Sequence, residues 1–431
     1  MIWNEVIECA SRKTLKDLQS ERLEKLFGYL WAHNPVYRRR LENYGLTPGT
    51  AKDIRDIKKI PFTVKEDLRD NYPFGMFTDY KHAAEIHVSS GTTGNPTVVG
   101  YTREDLKLWS EVMARTLCLA GAEPGDMIQN AYGYGLFTGG LGFHYGALEM
   151  DLKVIPTSSG QTRRQLKLMT DFRPRILACT PSYALFMLDE ARALGMDPRD
   201  SSWEIGIFGA EPWSESMRKQ IERSWDMIAT DVYGLSEIIG PGVAQECQHK
   251  DGLHLQWDVF YPEVIDPKSG EEVKEGERGE LVITTLTKHA MPLLRYRTRD
   301  VVTVSYEKCK CGRTTPRISK ILGRTDDMLI IRGVNIFPSQ IEYVLLKIEG
   351  TQPHYLIVVD RVNNLDVLEV WVEVDQRMFS DEIKQLRVFE EKVKKEIEGV
   401  LGIEVKVKLV EPKTIERSEG KAKRVIDKRK I

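Results

Sequence analysis

Between residues 176 and 232 the chain alternates short apolar runs with helix-length stretches, and this alternation restricts the fold more than any other feature of the sequence. The runs fall at residues 176–179, 203–208 and 228–232; between them lie a helix ending near Gly195 and a helix opening about Ser214. Consecutive short strands separated by a helix point to parallel pairing with helical crossovers. In open sheets of this kind, ligands bind at the carboxyl ends of the strands. Two loops expected there carry reactive side chains, Gly209-Ala-Glu-Pro212 and Tyr233-Gly-Leu-Ser-Glu237.

A chain of 431 residues exceeds what one core usually serves, so two or more domains are expected. Residues 14–44 read as an amphipathic helix, and Thr63-Val-Lys-Glu66 as a capping box opening a short one. From His254 to about Ser305 the pattern turns to β, with a turn at Asp266-Pro-Lys-Ser-Gly270 and strands at residues 280–285 and 301–304. A further domain follows. Its first helix opens after Phe337-Pro338, with strands at residues 355–359, 367–374 and 404–410 and a Ser380-capped helix to about Val400. The basic run from Gly420 reads, on charge alone, as a solvated tail.

Lys plus Arg number 62 against 64 for Asp plus Glu, a net charge of -2. This balance offers no general attraction to nucleic acid or an anionic membrane, and neither partner is expected. Residues 127–148 carry no charged side chain, yet their six glycines and Gln129, Asn130 and His144 mark a buried or pocket-lining region rather than a membrane span. The opening Met-Ile-Trp-Asn-Glu lacks the regions of a secretory signal, so a cytoplasmic location is expected.

The six cysteines are too few for a disulfide scaffold. Cys247 with His254, followed by Cys309-Lys-Cys311-Gly312, supplies the three thiols and one imidazole of a closed structural zinc site, with His249 competing for the imidazole position. Such an ion would pin two β segments and leave no open position for catalysis.

Val88-Ser-Ser-Gly-Thr-Thr-Gly-Asn-Pro-Thr97 is built to hold a phosphate chain, because glycines let backbone N–H groups converge on an anion and the hydroxyls add donors. Two residues rather than four separate Gly91 from Gly94, and Asn95 follows, so it is not a Walker A loop. Beyond it, Thr102 is a good N-cap for a helix through Leu119 that stops near Gly121. Strand, glycine-rich loop and helix make a phosphate-site layout.

Taken in order, SSGTTGNPTVVGYT, NAYGYGLFTGG, GAEPW, DVYGLSE, PGVAQEC, YRTRD, GRTDDMLIIRGVNIFPSQIE and SEGKAKRVID resemble the adenylate-forming superfamily of acyl-CoA ligases, and among them the phenylacetate-CoA ligases. The resemblance runs through nearly the whole chain. It implies an α/β enzyme, α+β overall. A large N-terminal domain, residues 1–325, would have mainly parallel sheets and a β-rich subdomain; a small mobile α+β domain would span 326–431. The implied reaction is AMP-forming ligation of an aryl acid, phenylacetate first, to coenzyme A, as in aromatic acid catabolism. The acid's carboxylate attacks the α-phosphate of ATP, and coenzyme A then displaces AMP from the acyl-adenylate. A homodimer stays open.

Carried onto this sequence, the resemblance gives the β- and γ-phosphates to Ser90, Gly91, Thr92, Thr93 and Gly94, with Asn95 replacing the lysine common in the family. It sets Glu211 and Pro212 beside the adenine, stacks Tyr233 on it, and includes Asp231 and Gly234 in the same ATP site. Glu237 would hold Mg²⁺, Asp300 the ribose hydroxyls with help from Arg324, and Lys421, with Lys423 as a competitor, would serve adenylation. Asp326 would be the hinge, and Arg332 and Gly333 would lie on the coenzyme A side. Tyr132, Tyr134, Phe137 and Gly140, where aromatics alternate with glycines, would form a flat acyl pocket. Two other functions stay open on sequence. Relatives adenylylate a non-thiol acceptor, a deazaflavin cofactor; a zinc-ribbon nucleic-acid-binding protein is the non-enzymatic alternative, against which the charge balance argues.

Overall fold

The computed structural model describes residues 1–89, 95–326, 329–332, 334–348, 350–362, 365–374, 383–416 and 424–429. The chain divides into two compact units: Met1–Cys179 with Ser201–Ala210 and Met227–Ile321, and Thr180–Asp200 with Glu211–Asp226 and Leu322–Ile431.

The first unit is organised on a nine-stranded sheet, in the order Val304–Ser305, Arg317–Ile318, Leu253–Leu255, Gly240–Glu246, Ile228–Leu235, Ile205–Gly209, Ile176–Cys179, Met127–Asn130 and Lys153–Ile155. The last five run parallel, with Ile128, Ile176, Ile205 and Ile228 in register; three of them are those that the alternation predicts, and Met127–Asn130 and Lys153–Ile155 extend the run. Ile176–Cys179 and Ile205–Gly209 are buried at every position, as strands covered on both faces are. Ile228–Leu235 runs past its expected end because Gly240–Glu246 pairs with it antiparallel, so Tyr233 and Gly234 are strand residues rather than loop. A Cβ on Gly234 would stand 2.0 Å from the Gly240 carbonyl oxygen. Three further antiparallel strands, Phe260–Ile265, Gly279–Thr285 and Tyr296–Val302, form the β-rich part.

The Arg103–Ala120 helix is capped by Thr102 and Asp105 and ends at Gly121, whose φ of 104° suits glycine. It packs on the Thr138–Glu149 helix. A Cβ on Gly146 would lie 2.3 Å from Met113, and one on Gly142 2.6 Å from the Trp109 ring, so the glycines of the uncharged stretch admit a close helix crossing. Among the described residues no helix is long and apolar enough to cross a membrane.

Local expectations change in three places. Residues 14–44 are two helices, Arg12–His33 and Pro35–Asn43; Asn34 ends the first, and its side chain accepts the Tyr37 N–H at 2.9 Å to cap the second. Thr63 does not cap the Lys65–Asp70 helix, because its hydroxyl donates to the Leu294 carbonyl at 2.7 Å; instead the Val64 N–H donates to Asp67 at 2.8 Å. The phosphate-loop segment lies between two strands of a hairpin, Glu85–Ser89 and Thr97–Tyr101, with Ser89 opposite Thr97. A second strand therefore precedes the Thr102-capped helix.

In the second unit, Thr351–Val362 and Leu365–Val374 pair antiparallel and are flanked by parallel strands Val425–Asp427 and Lys406–Val410. Helices Pro338–Leu345 and Ile383–Leu401 contribute Ile341, Leu345, Val393 and Ile397 to a core with Ile357 and Val370. Ser380 lies outside the described residues. The basic terminal run is not a solvated tail where it is described: Val425–Asp427 is a sheet strand, and the Arg424 guanidinium sits 4.6 Å over the Tyr355 ring and 3.8 Å from Glu342.

Candidate active site

Tyr233, on the large sheet, and Asp300, on Tyr296–Val302, are brought together in the first unit. The Tyr233 hydroxyl donates to Asp300 Oδ2 at 2.6 Å, and both residues are buried. A carboxylate accepts hydrogen bonds from sugar hydroxyls and an aromatic face takes a base, so this pair can hold both halves of a nucleoside. Asp231, two residues earlier on Tyr233's strand, is also buried, and its N–H donates to Glu246 at 2.9 Å.

Just beyond that strand Glu237 is buried, with Lys65 Nζ 3.1 Å from its carboxylate. Lys288 Nζ donates to the Ile238 carbonyl at 2.9 Å and lies 4.7 Å above the Tyr101 ring, whose hydroxyl in turn donates to the Ile239 carbonyl at 3.0 Å. Burial pushes the Lys288 ammonium down to about 8. A carboxylate is the kind of hard oxygen ligand that a divalent ion takes, and Lys65 would have to yield that oxygen to the ion. Sequence reasoning missed Lys65, Lys288 and Tyr101; the available signal was a lone lysine before the apolar run Ala290-Met-Pro-Leu-Leu294.

In the aromatic and glycine segment, Tyr132 is a core residue stacked on Phe143 at 5.0 Å between centroids. Tyr134 is half-buried; its hydroxyl accepts from Asn130 Nδ2 at 2.8 Å and lies 3.2 Å from His144 Nδ1, and burial pushes it up to about 12. Gly140 packs so tightly that a Cβ would meet the Gly133 carbonyl oxygen at 2.7 Å. Phe137, by contrast, is exposed. The polar triplet of Asn130, Tyr134 and His144 is what the fold gathers here.

The second unit holds the other candidates. Glu211 is buried and accepts the Ser182 N–H at 2.8 Å, at the start of the Pro181–Ala193 helix, where a carboxylate is favoured; Pro212 is exposed. Arg324 grips Asp326 through Nε to Oδ1 at 2.9 Å and Nη2 to Oδ2 at 3.0 Å, so the ribose candidate and the hinge candidate are partners. Arg332 has a φ of 49° and donates from Nε to the Asp366 carbonyl at 2.9 Å. Ser90, Gly91, Thr92, Thr93, Gly94, Gly333, Lys421 and Lys423 lie outside the described residues.

Cys247, His254, Cys309 and Cys311 come together in the first unit, their ligand atoms all within 4.8 Å of one another. His254 rather than His249 joins the three thiols. Cys247 and Cys309 sulfurs are 3.8 Å apart, and Cys311 Sγ is 3.5 Å from His254 Nε2.

Residues 58–287 match the model of the AMP-binding enzyme family, and residues 333–429 that of the AMP-binding enzyme C-terminal domain. The chain is 49% identical to the phenylacetate-coenzyme A ligase of Thermus thermophilus, over 100% of each chain. It is 46% identical to that of Escherichia coli, over 99% of this chain and 97% of the relative. A crystal structure of 2-hydroxyisobutyryl-CoA ligase in its postadenylation state, bound to R3-HIB-AMP, superposes with a TM-score of 0.91 at 29% identity, covering 98% of this chain and 92% of that one.

Proposed function

From the premise that this chain belongs to the AMP-binding, adenylate-forming enzymes, whose acid-CoA ligases join an acid to coenzyme A at the expense of ATP through an acyl-adenylate, we propose that its acid is an aryl acid, phenylacetate first. The hydrogen bond from Tyr233 to Asp300 carries the nucleotide half of the reading, because it sets a base-stacking ring beside a ribose-binding carboxylate. The aromatic and glycine segment of residues 132–140 supports the acid half, with Tyr134 as its half-buried ring.

A carboxylate is a poor acyl donor because its oxygen leaves badly. In the first half-reaction that oxygen bonds to the α-phosphate as pyrophosphate leaves, which turns it into a good leaving group; in the second the coenzyme A sulfur bonds to the acyl carbon as the same oxygen leaves with AMP. The protein's task is to position the groups and offset charge. Asp300 and Tyr233, with Asp231 and Gly234 of the same unit, hold the adenosine; residues 90–94 take the terminal phosphates, and Glu211, Pro212 and Arg324 are assigned to ATP binding on the family resemblance. Glu237 would hold magnesium, which would offset the charge of the phosphates. Lys421 serves adenylation, Asp326 is the hinge of a C-terminal domain beginning there, and Arg332 and Gly333 face coenzyme A. The Cys and His cluster is assigned one structural zinc.

A pyrophosphate-release screen over carboxylic acids, with and without coenzyme A, tests the reading. Phenylacetate should give the highest specificity constant, with indole-3-acetate or a benzoate second. A clear preference for acetate or palmitate rejects the aryl assignment. Pyrophosphate release with no AMP release when coenzyme A is supplied would turn the reading toward adenylyl transfer, in which AMP stays on another acceptor.

A further inference from the structure

We propose that the zinc ion held by Cys247, His254, Cys309 and Cys311 fastens residues 7–10 of the chain to the body of the first unit, an inference that rests on the zinc assigned above. The case for the ion is metrical. Zinc bonds of about 2.3 Å to sulfur and about 2.0–2.1 Å to nitrogen imply tetrahedral edges of about 3.8 Å between two sulfurs and about 3.5 Å between sulfur and nitrogen. Two of the six edges match, at 3.8 Å for Cys247 to Cys309 and 3.5 Å for Cys311 to His254, and all six lie within 4.8 Å. A disulfide would need about 2.05 Å. His254 Nδ1 lies 3.0 Å from the Thr315 hydroxyl, which leaves Nε2 for the ion, the usual outer support of a ligating imidazole.

The loop that carries two of the ligands also receives the N-terminal segment. It is a tight turn: the Cys309 N–H donates to the Arg313 carbonyl at 3.1 Å, the Gly312 N–H donates to the Cys309 carbonyl at 3.0 Å, and Gly312 has a φ of 96°. From its far side the Thr314 N–H donates to the Glu8 carbonyl at 3.0 Å, and the Thr314 hydroxyl to the Ala10 carbonyl at 2.6 Å. The Arg313 guanidinium pairs with the Glu8 carboxylate, both side chains buried. The Glu5–Glu8 helix is a single turn of four residues and cannot hold itself. Residues 1–4 have ties of their own to the Arg103–Ala120 helix, Asn4 Nδ2 to Glu111 Oε1 at 3.1 Å and Cys118 Sγ to the Met1 carbonyl at 3.4 Å. What depends on the loop is therefore the order of residues 7–10, and the loop's position depends on what ties residues 309–311 to Cys247 and His254. A buried ion pair whose partner is displaced is costly, so loss of the ion should release residues 7–10.

The test uses the full chain purified without a metal-affinity tag. Elemental analysis should give about one zinc per chain. Stripping the zinc with a mercurial thiol reagent should speed amide exchange at residues 7–10 at least about tenfold, while Ile176–Cys179 stays protected. Protein without zinc, yet with slow exchange there, ends both the zinc reading and the fastening. Zinc that can be stripped with residues 7–10 unchanged ends the fastening alone. Should stripping unfold the whole unit, Glu8→Gln decides: retained zinc with faster exchange at residues 7–10 supports the proposal, and unchanged exchange overturns it.

Discussion

Tyr233 divides its work between ring and hydroxyl, and a single atom separates the two. Tyr233→Phe keeps the face proposed for the adenine but takes the hydroxyl donor at 2.6 Å away from a buried carboxylate. A hydrogen bond to a charged group is worth about 1.5–3 kcal/mol, so KM for ATP should rise about tenfold or more while KM for the acid holds. Initial rates of pyrophosphate release at varied ATP and varied acid check this; a change confined to the acid would move the pair to the other substrate. Both residues were legible as reactive side chains, yet their pairing was not, because 67 positions and two different sheets separate them. Lys288 was less legible still. Lysines normally stay at the surface, and only the packing of Tyr101 and the carbonyls after Glu237 makes this one interior.

At the scale of elements, the parallel strands were readable because two-face burial leaves apolar runs. The C-terminal strand was not, since its charge hides it: Arg424 finds Glu342 and the Tyr355 ring only through tertiary contact. The hairpin was missed for a related reason, as Thr97–Tyr101 is too short for its pairing with Glu85–Ser89 to show in sequence. Glu342 offers a measurable consequence. Burial pushes its carboxyl above the usual range, though Arg424 and the Tyr355 hydroxyl at 3.1 Å pull the other way. The folded state then binds more protons than the unfolded state between the ordinary carboxylate value and the raised one. Its stabilising contribution is complete below about pH 4 and is lost as pH rises through the folded value. Urea midpoints of wild type relative to Glu342→Gln should therefore fall from pH 4 toward neutrality. A constant difference would mean that Arg424 offsets the burial completely.

For the whole molecule, the proposed division of labour between half-reactions rests on which unit carries each assigned residue. Tyr233, Glu237 and Asp300 belong to the first unit, whereas Lys421 belongs by sequence to the second, close to the strand Val425–Asp427. Adenylation joins two anions, the acid carboxylate and the α-phosphate, and a lysine ammonium offsets the repulsion at that step. Thioester formation has no such meeting of anions at phosphorus, so the same ammonium contributes little to it. Lys421→Ala should slow adenylate formation by about 10²- to 10³-fold, the range for loss of one positioned charge. It should leave conversion of a supplied acyl-adenylate to thioester within about threefold of wild type. Asp326→Pro makes the complementary test. Fixing φ at the proposed hinge, where Asp326 also holds Arg324, should spare each half-reaction assayed alone and slow the complete reaction, which must pass from one to the other. If Lys421→Ala depresses both half-reactions equally, the lysine serves the fold or both steps; if Asp326→Pro leaves the complete reaction untouched, the passage is not made at that residue.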